Sequence, residues 1–241
     1  MASEQLYLGG IKTIARFCAD ALFPRFCVRC KKEGSLLCDK CFVEWTPALV
    51  EHVCRVCLVP SAFGATCKRC TSTGTPDLVQ HQFQYADPVV RELIQSWKYH
   101  FDQTGWEHLR KHLSLGLPVL KRTIELYDVE AITPLPLYYQ RRCERGFDQS
   151  ELLARYLSKE CRIEFAEFLK RTRGTGKQAD RSTDARKKEM MLNPFVSSST
   201  VPKSVLLVDD VWTTGATASA ATAALKKRGV ETVFVYTLAK G

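Results

Sequence analysis

The sequence predicts an α/β chain, a doubly wound and mainly parallel sheet preceded by a small cysteine-rich metal module. Three observations carry this. Eight of the eleven cysteines fall into four Cys-x-x-Cys pairs between Cys27 and Cys70. Beyond residue 78, short apolar runs alternate with stretches of helical period, the pattern of βαβ units. Residues 205–208 are continuously apolar, as in a strand buried on both faces, and Asp209 and Asp210 follow where such a strand ends.

The length, 241 residues, admits one large domain or two smaller ones, and an apolar fraction of 45% suffices for a core. The formal charge of +9 favours anionic partners. Eight thiolates on two Zn²⁺ would lower it to about +5. The opening Met1-Ala2-Ser3-Glu4-Gln5 lacks the basic start of a signal peptide. No apolar run approaches the ~20 residues that span a membrane. A cytoplasmic chain without a membrane span is expected, and there paired cysteines bind metal rather than form disulfides.

In chain order, residues 8–23 place Ile11, Ile14, Ala15, Cys18, Ala21 and Leu22 on one helical face, and Pro24 stops the pattern. Such a helix docks on the metal module or the following domain; a membrane-surface helix would carry more charge on its other face. The knuckles come next. Two thiolates of one Cys-x-x-Cys converge on a tetrahedral ion, and two knuckles complete a closed structural zinc site. Sequential pairing gives Cys27, Cys30, Cys38 and Cys41 one ion and Cys54, Cys57, Cys67 and Cys70 another. An interleaved pairing satisfies the same spacing. Iron–sulfur or redox chemistry is the alternative use of such ligands. A segment this small needs the metal to fold.

Residues 71–78 read as a turn or linker, which places a boundary near 72–77 and two domains at 1–71 and 78–241. A strand is expected over 79–85, a helix over 88–99 and a second helix over 104–123. His108 and His112 lie four apart on that second helix without a third ligand, and solvent-facing positions are expected for them. A strand over 129–133 leads into Pro134-Leu135-Pro136 and then Arg141, Arg142, Arg145 and Gly146. This is a second anion-facing loop, with guanidinium forks suited to phosphate oxygens. Solvated or nucleic-acid-binding arginines are the plainer account. A helix over 151–159 and a strand over 165–169 follow. Residues 170–188 carry Lys170, Arg171, Arg173, Lys177, Arg181, Arg186, Lys187 and Lys188 against Asp180 and Asp184. A charge run is usually a solvated face; a mobile lid over a polyanion is what the family resemblance given below implies for it. Extended structure resumes at Phe195 and Val196.

After the acidic pair come Thr213, Thr214, Gly215, Ala216 and Thr217, then a helix over 217–228 and a strand over 232–238. A strand, a small-residue loop and a helix N-terminus form an anion cradle of free N–H groups and helix dipole. The carboxylates beside it suit sugar hydroxyls, a magnesium ion or a developing cation.

This stretch resembles the phosphoribosyl diphosphate (PRPP) loop of type I phosphoribosyltransferases. The resemblance implies that Asp209 and Asp210 hold the ribose hydroxyls and the 213–217 backbone holds the 5′-phosphate. Trp212 departs from it, standing where a smaller residue is expected. The whole chain resembles the ComF family of competence-associated proteins, which join a zinc module to a type I phosphoribosyltransferase fold. The similarity rests on the four knuckles, Pro134-x-Pro136, Arg141-Arg142-x-x-Arg145-Gly146-Phe147-Asp148-Gln149-Ser150, Arg173-x-Thr175-x-x-Gln178, Arg186 and the loop at Asp209-Asp210. Asp148 replaces the family's asparagine, and Arg181 and Glu189 replace a leucine and an asparagine.

The resemblance implies phosphoribosyl transfer from PRPP with Mg²⁺ bridging diphosphate and ribose, and arginines of the 141–145 loop receiving the diphosphate. It also implies a role in natural transformation on imported single-stranded DNA, with a DNA-uptake helicase or other competence proteins as partners. Arg171, Arg173, Lys177, Gln178, Arg186, Lys187 and Lys188 are the flexible-loop and nucleic-acid candidates. A non-catalytic nucleic-acid-binding module and ordinary nucleobase salvage are the alternatives. No feature marks a base pocket, and the zinc module is surplus to salvage.

Overall fold

The computed structural model describes residues 25–48, 50–99, 103–171, 195–197 and 200–241. The expected helix at 8–23 lies outside them. Seven helices are described: α1 (Asp39–Glu44), α2 (Pro88–Tyr99), α3 (Gln103–Leu113), α4 (Leu117–Leu126), α5 (Tyr139–Arg145), α6 (Gln149–Cys161) and α7 (Ala216–Lys226). Seven strands accompany them: β1 (Leu78–Gln84), β2 (Ala131–Pro134), β3 (Glu164–Phe165), β4 (Leu169–Arg171), β5 (Phe195–Ser197), β6 (Ser204–Trp212) and β7 (Thr232–Lys240). Five make a wholly parallel sheet in the order β1-β7-β6-β2-β3. β4 and β5 form a separate antiparallel pair. The protein is thus an α/β fold with a parallel sheet and an N-terminal cysteine-rich region, consistent with a phosphoribosyltransferase-like fold.

The central strand β6 is buried from Ser204 to Val208. Its side chains alternate between two cores: Leu206 and Val208 face one layer, Val205 and Leu207 the other. The first layer holds α2, α3, α4 and α6 through Leu93, Ile94, Trp97, Leu109, Leu120 and Leu153. The second holds α7 through Ala218, Ala221 and Leu225. From β2 the chain crosses by α6 to β3 on one side; from β6 it crosses by α7 to β7 on the other. The chain therefore reverses direction between β2 and β6. In open α/β sheets that reversal opens a crevice at the carboxyl ends of the strands.

Three expected elements differ. The helix expected over 104–123 is two helices, because Pro118 lacks the N–H to continue one and instead sits in the first turn of α4. The strand expected over 165–169 divides into β3, in the main sheet, and β4, paired with β5. β6 runs past Val208 to Trp212, pairing Asp209 with Thr237 and Trp212 with Lys240.

The cysteine-rich region is built twice from one plan. In each half the first knuckle is a tight turn, closed by Lys31 N–H to Cys27 O at 2.9 Å and by Leu58 N–H to Cys54 O at 2.8 Å. The residue after each turn is left-handed, Lys31 at φ 61° and Leu58 at φ 60°. The second knuckle opens a helical turn, α1 at Cys38 and a 3₁₀ turn at Cys67.

The two halves attach differently. The first sends Cys27, Leu37, Cys41 and Trp45 into the main core. Trp45 Nε1 donates to Asp87 Oδ2 at 3.0 Å, while Asp87 Oδ1 caps α2 by accepting from Val89 N–H at 2.8 Å. His108 and His112, expected to face solvent, instead bed this half: Phe42 lies 5.5 Å and 4.6 Å from their rings. The second half lies along the outer edge of β1. Ala65 pairs with Leu78, Gln80 Nε2 donates to Phe63 O at 2.9 Å, and Thr66 N–H donates to Asp77 O at 2.7 Å. Gly64 has φ 79°, and a Cβ there would stand 2.1 Å from Val79 O, so only glycine permits the approach. The expected linker at 71–78 is tied down. Asp77 bonds Val233 N–H at 2.8 Å and pairs with Lys226 at 2.9 Å. Among the described residues no helix is long and apolar enough to cross a membrane.

Candidate functional site

Two groups of chemistry-bearing side chains stand out, the thiols and the crevice at the end of β6. The thiols assemble as Cys27, Cys30, Cys38 and Cys41, and as Cys54, Cys57, Cys67 and Cys70, with all four Sγ atoms of each set within 4.8 Å of one another. This is the sequential pairing. The separations Cys30–Cys38 and Cys57–Cys67 are 3.7 Å and 3.6 Å. A tetrahedral ion with Zn–S bonds of ~2.3 Å has edges of about 3.8 Å, so both sets can hold zinc. Burial pushes the Cys27 thiol up, but N–H groups of Cys30, Cys38 and Arg29 outweigh it and bring it down to about 6. Cys54 is lowered to about 6 in the same way by Cys57, Cys67 and Val56. Burial and the three neighbouring thiols push Cys41 up to about 12. Four thiols around one point cannot all ionise without a cation, which a divalent metal would supply.

The crevice is built on Asp209 and Asp210. Ser150 Oγ, in the first turn of α6, donates to Asp209 Oδ1 at 2.9 Å, and Asp210 N–H donates to the same oxygen at 2.8 Å. Asp210 Oδ2 pairs with Lys98 Nζ at 2.7 Å. Burial first, then the charge of Asp210, pushes Asp209 up to about 7 against the pull of its hydrogen bonds and Lys98. Arg171 at the end of β4 belongs to the same field. Burial and Arg141 pull its guanidinium below its usual value, and Asp209 acts in the opposite sense.

Beyond the acids the chain turns sharply at Gly215 (φ 76°) into α7; the glycine offers no side-chain cap, and Ala216 N–H donates to Thr214 Oγ1 at 3.4 Å. A Cβ at Gly215 would stand 2.3 Å from the Trp212 ring, so the turn lies flat on the indole. Trp212 is thus a packing residue of the loop, 5.6 Å from the His81 ring on its other flank. Thr213, Thr214 and Ala216 are exposed, Thr217 is half-buried and Gly215 is buried.

The arginines of 141–145 ride a short helix, α5, rather than a loop, and they separate. Arg142 turns to Glu151 at 3.1 Å, which Arg155 also engages at 2.9 Å. Arg145 donates to Gln149 Oε1 at 3.1 Å, and Gly146 closes the helix at φ 72°. Arg141 acts electrostatically on Arg171, which Asp209 also faces. Arg173, Lys177, Gln178, Arg186, Lys187 and Lys188 lie outside the described residues.

Asp148, the replacement for asparagine, has a role of its own. It is 5% exposed. Its Oδ1 accepts from Ser150 N–H at 2.9 Å and Glu151 N–H at 3.2 Å, capping α6; its Oδ2 accepts from Leu137 N–H at 2.9 Å. Asparagine can supply only one of these acceptors and would turn its NH₂ on a second donor. Asp148→Asn is therefore expected to cost about 1–3 kcal/mol, measured by denaturant unfolding, and to loosen Ser150 with the helix start. Unchanged stability would refute this account of the cap.

Sequence reasoning missed Lys98, Ser150 and Asp148 as site residues. Lys98 had a signal: Val90 and Ile94 precede it at four-residue steps, so a cation continues an inward apolar row. Ser150 and Asp148 stood in the motif at residues 141–150 and at a helix start, with no role read for either.

No family model matches the chain. Competence protein F of Haemophilus influenzae is 37% identical over 163 residues, 65% of this chain and 69% of that protein. DNA utilization protein YhgH of Escherichia coli O6:H1 is 30% identical over 219 residues, 89% of this chain and 88% of that protein. Competence protein ComFC of Streptococcus pneumoniae is 28% identical over 126 residues, half of this chain and 53% of that protein.

Proposed function

The chain belongs to the ComF family of competence-associated proteins, and from that premise we propose that it serves DNA uptake with a PRPP-binding, phosphoribosyltransferase-like site. Relatives named for competence and for DNA utilization support the first part. One arrangement carries the second: two carboxylates in the last half of the central strand, followed by a glycine-capped helix N-terminus, at the reversal point of a parallel sheet. The phosphate would lie against the N–H groups at the start of α7. Asp209 and Asp210 would accept the ribose hydroxyls. Carboxylates are the ligands a magnesium ion prefers, and Mg²⁺ would enter with PRPP. Arg141 and Arg171 would be the cations that meet the diphosphate, supported by their shared electrostatic environment.

Two units divide the work in this reading, 1–71 holding the zinc and 78–241 the PRPP. Single-stranded DNA would run over the basic segment that begins at Lys170 and Arg171, in the cytoplasm, with other competence proteins nearby. Calorimetry of the zinc-loaded protein with PRPP tests the site. Binding that requires Mg²⁺ is the expected result, and no heat at millimolar PRPP would overturn it.

A further inference from the structure

The apolar face carried by residues 8–23 needs a surface to cover, and α4 has one. The inner face of α4 is buried through Leu117, Leu120, Thr123 and Ile124. At 100° per residue, Lys121 and Glu125 fall on one flank, where they line a groove with Lys159 and Arg162 at the end of α6. Val119 and Leu126 fall on the opposite flank, 43% and 53% exposed, and Leu115 just before the helix is 66% exposed. These three form an aliphatic strip open to solvent among the described residues.

The strip begins at the first cysteine half. His108 and His112 of α3 bed Phe42 of that half. Leu115 is the next position in their row, and its N–H donates to His112 O at 3.2 Å, so the turn carries on past the helix end. The chain before Arg25 enters at the same half, where Arg25 O accepts from Gly34 N–H at 2.9 Å. We propose that residues 8–23, outside the described residues, lie as a helix along this flank of α4 and antiparallel to it. Leu22 would then meet Leu115, Cys18 would meet Val119 and Ile11 would meet Leu126. This placement is independent of the PRPP reading.

Length and direction support it. Leu115 to Leu126 and Ile11 to Leu22 each cover about 16 Å at 1.5 Å per residue. Phe23 and Pro24 lead straight to Arg25, which puts Leu22 at the Leu115 end. Other occupants fit the strip less well. A second copy needs roughly 1,200 Å² or more of buried surface, and three aliphatic side chains on one flank supply a fraction of that. A segment of the same chain needs far less, because a short tether holds it at about millimolar effective concentration. A lipid surface is broad and would cover Arg122 and Glu125, paired at 3.6 Å beside the strip. A helix is narrow enough to leave them in water.

Cys18 supplies the test. The full-length, zinc-loaded protein is made as Val119→Cys and, for comparison, as Lys203→Cys, whose position at the entry to β6 is 76% exposed. Both substitutions fall on exposed side chains, so the fold should survive them. Each protein is treated with a short bismaleimide, and peptide mapping by mass spectrometry identifies the joined thiols. Cys18 is expected to link to position 119 within single chains at least about tenfold faster than to position 203. Adding Leu22→Asp to the Val119→Cys protein should slow that link about tenfold, since the aspartate meets Leu115. Equal rates at the two positions, or a rate unchanged by Leu22→Asp, would overturn the proposal. A link that joins two chains would give the strip to a second copy. A link lost when the protein pellets with phosphatidylglycerol vesicles would give the segment to a membrane. Either result would overturn the proposal as well.

Discussion

Cys41→Ala is expected to release one of two zinc ions and to lower the melting temperature far more than Cys70→Ala, which opens the other site. Both variants remove one of four ligands, and a three-thiolate site binds structural zinc poorly. The difference lies in what each half is packed against. Cys41 belongs to the main core with Cys27, Leu37 and Trp45, and His112 stacks 4.5 Å from the Trp45 ring. Loosening this half exposes large side chains of the sheet's own core, at about 1.5–3 kcal/mol for each, and releases the Asp87 cap of α2. Among the described residues, the second half touches that core through partly buried Phe63 and Ala65. Metal content by mass spectrometry and thermal melting on the same samples decide it. Equal losses of melting temperature would mean that the first half is no more part of the core than the second.

Asp209→Ala and Asp210→Ala should each reduce Mg²⁺-dependent PRPP binding about a hundredfold or more. Each carboxylate would accept a ribose hydroxyl in a charge-assisted bond worth about 1.5–3 kcal/mol, and tenfold in affinity is about 1.4 kcal/mol. Asp210→Ala also leaves Lys98 buried without its partner, so it should cost stability, whereas Asp209→Ala removes a carboxylate that burial already disfavours. Because folding raises the Asp209 pKa to about 7, the unfolded chain ionises first. The carboxylate therefore costs nothing well below its unfolded value near 4, and its cost grows as pH rises toward 7. Asp209→Ala should thus melt higher than wild type at pH 8 and not at pH 4. Calorimetry gives the affinities and melts at the two pH values give the stabilities. Retained PRPP binding in either variant would remove the acid pair from the site.

The elements legible in the sequence are those whose chemistry is local. α2 occupies residues 88–99 as the apolar spacing of Val89, Val90, Leu93, Ile94 and Trp97 requires. The knuckles are legible because two thiolates on one ion must be three residues apart. β6 is half legible. Its apolar run stops at Val208, but the backbone keeps pairing with β7 to Trp212, since ladder hydrogen bonds do not depend on side-chain polarity. The site beyond its acids is assembled from distance. Lys98 and Ser150 meet the acids across separations of 112 and 59 residues, fixed by helix packing that no local pattern encodes. Arg142 is the converse case. Its guanidinium reads as a phosphate ligand until α6 brings Glu151 to it.

The second cysteine half lies on the flank of β1 that no strand covers among the described residues. It acts there as a guard against self-association. A fragment starting near residue 78 would present a bare strand of alternating ladder groups, Leu78 to Gln84, to other copies of itself. Expressed alone, such a transferase-like fragment should precipitate or pair edge to edge, even with its crevice intact. A metal held by these four thiols would then protect solubility as well as shape, and its loss would expose the whole chain to aggregation rather than one appendage to disorder.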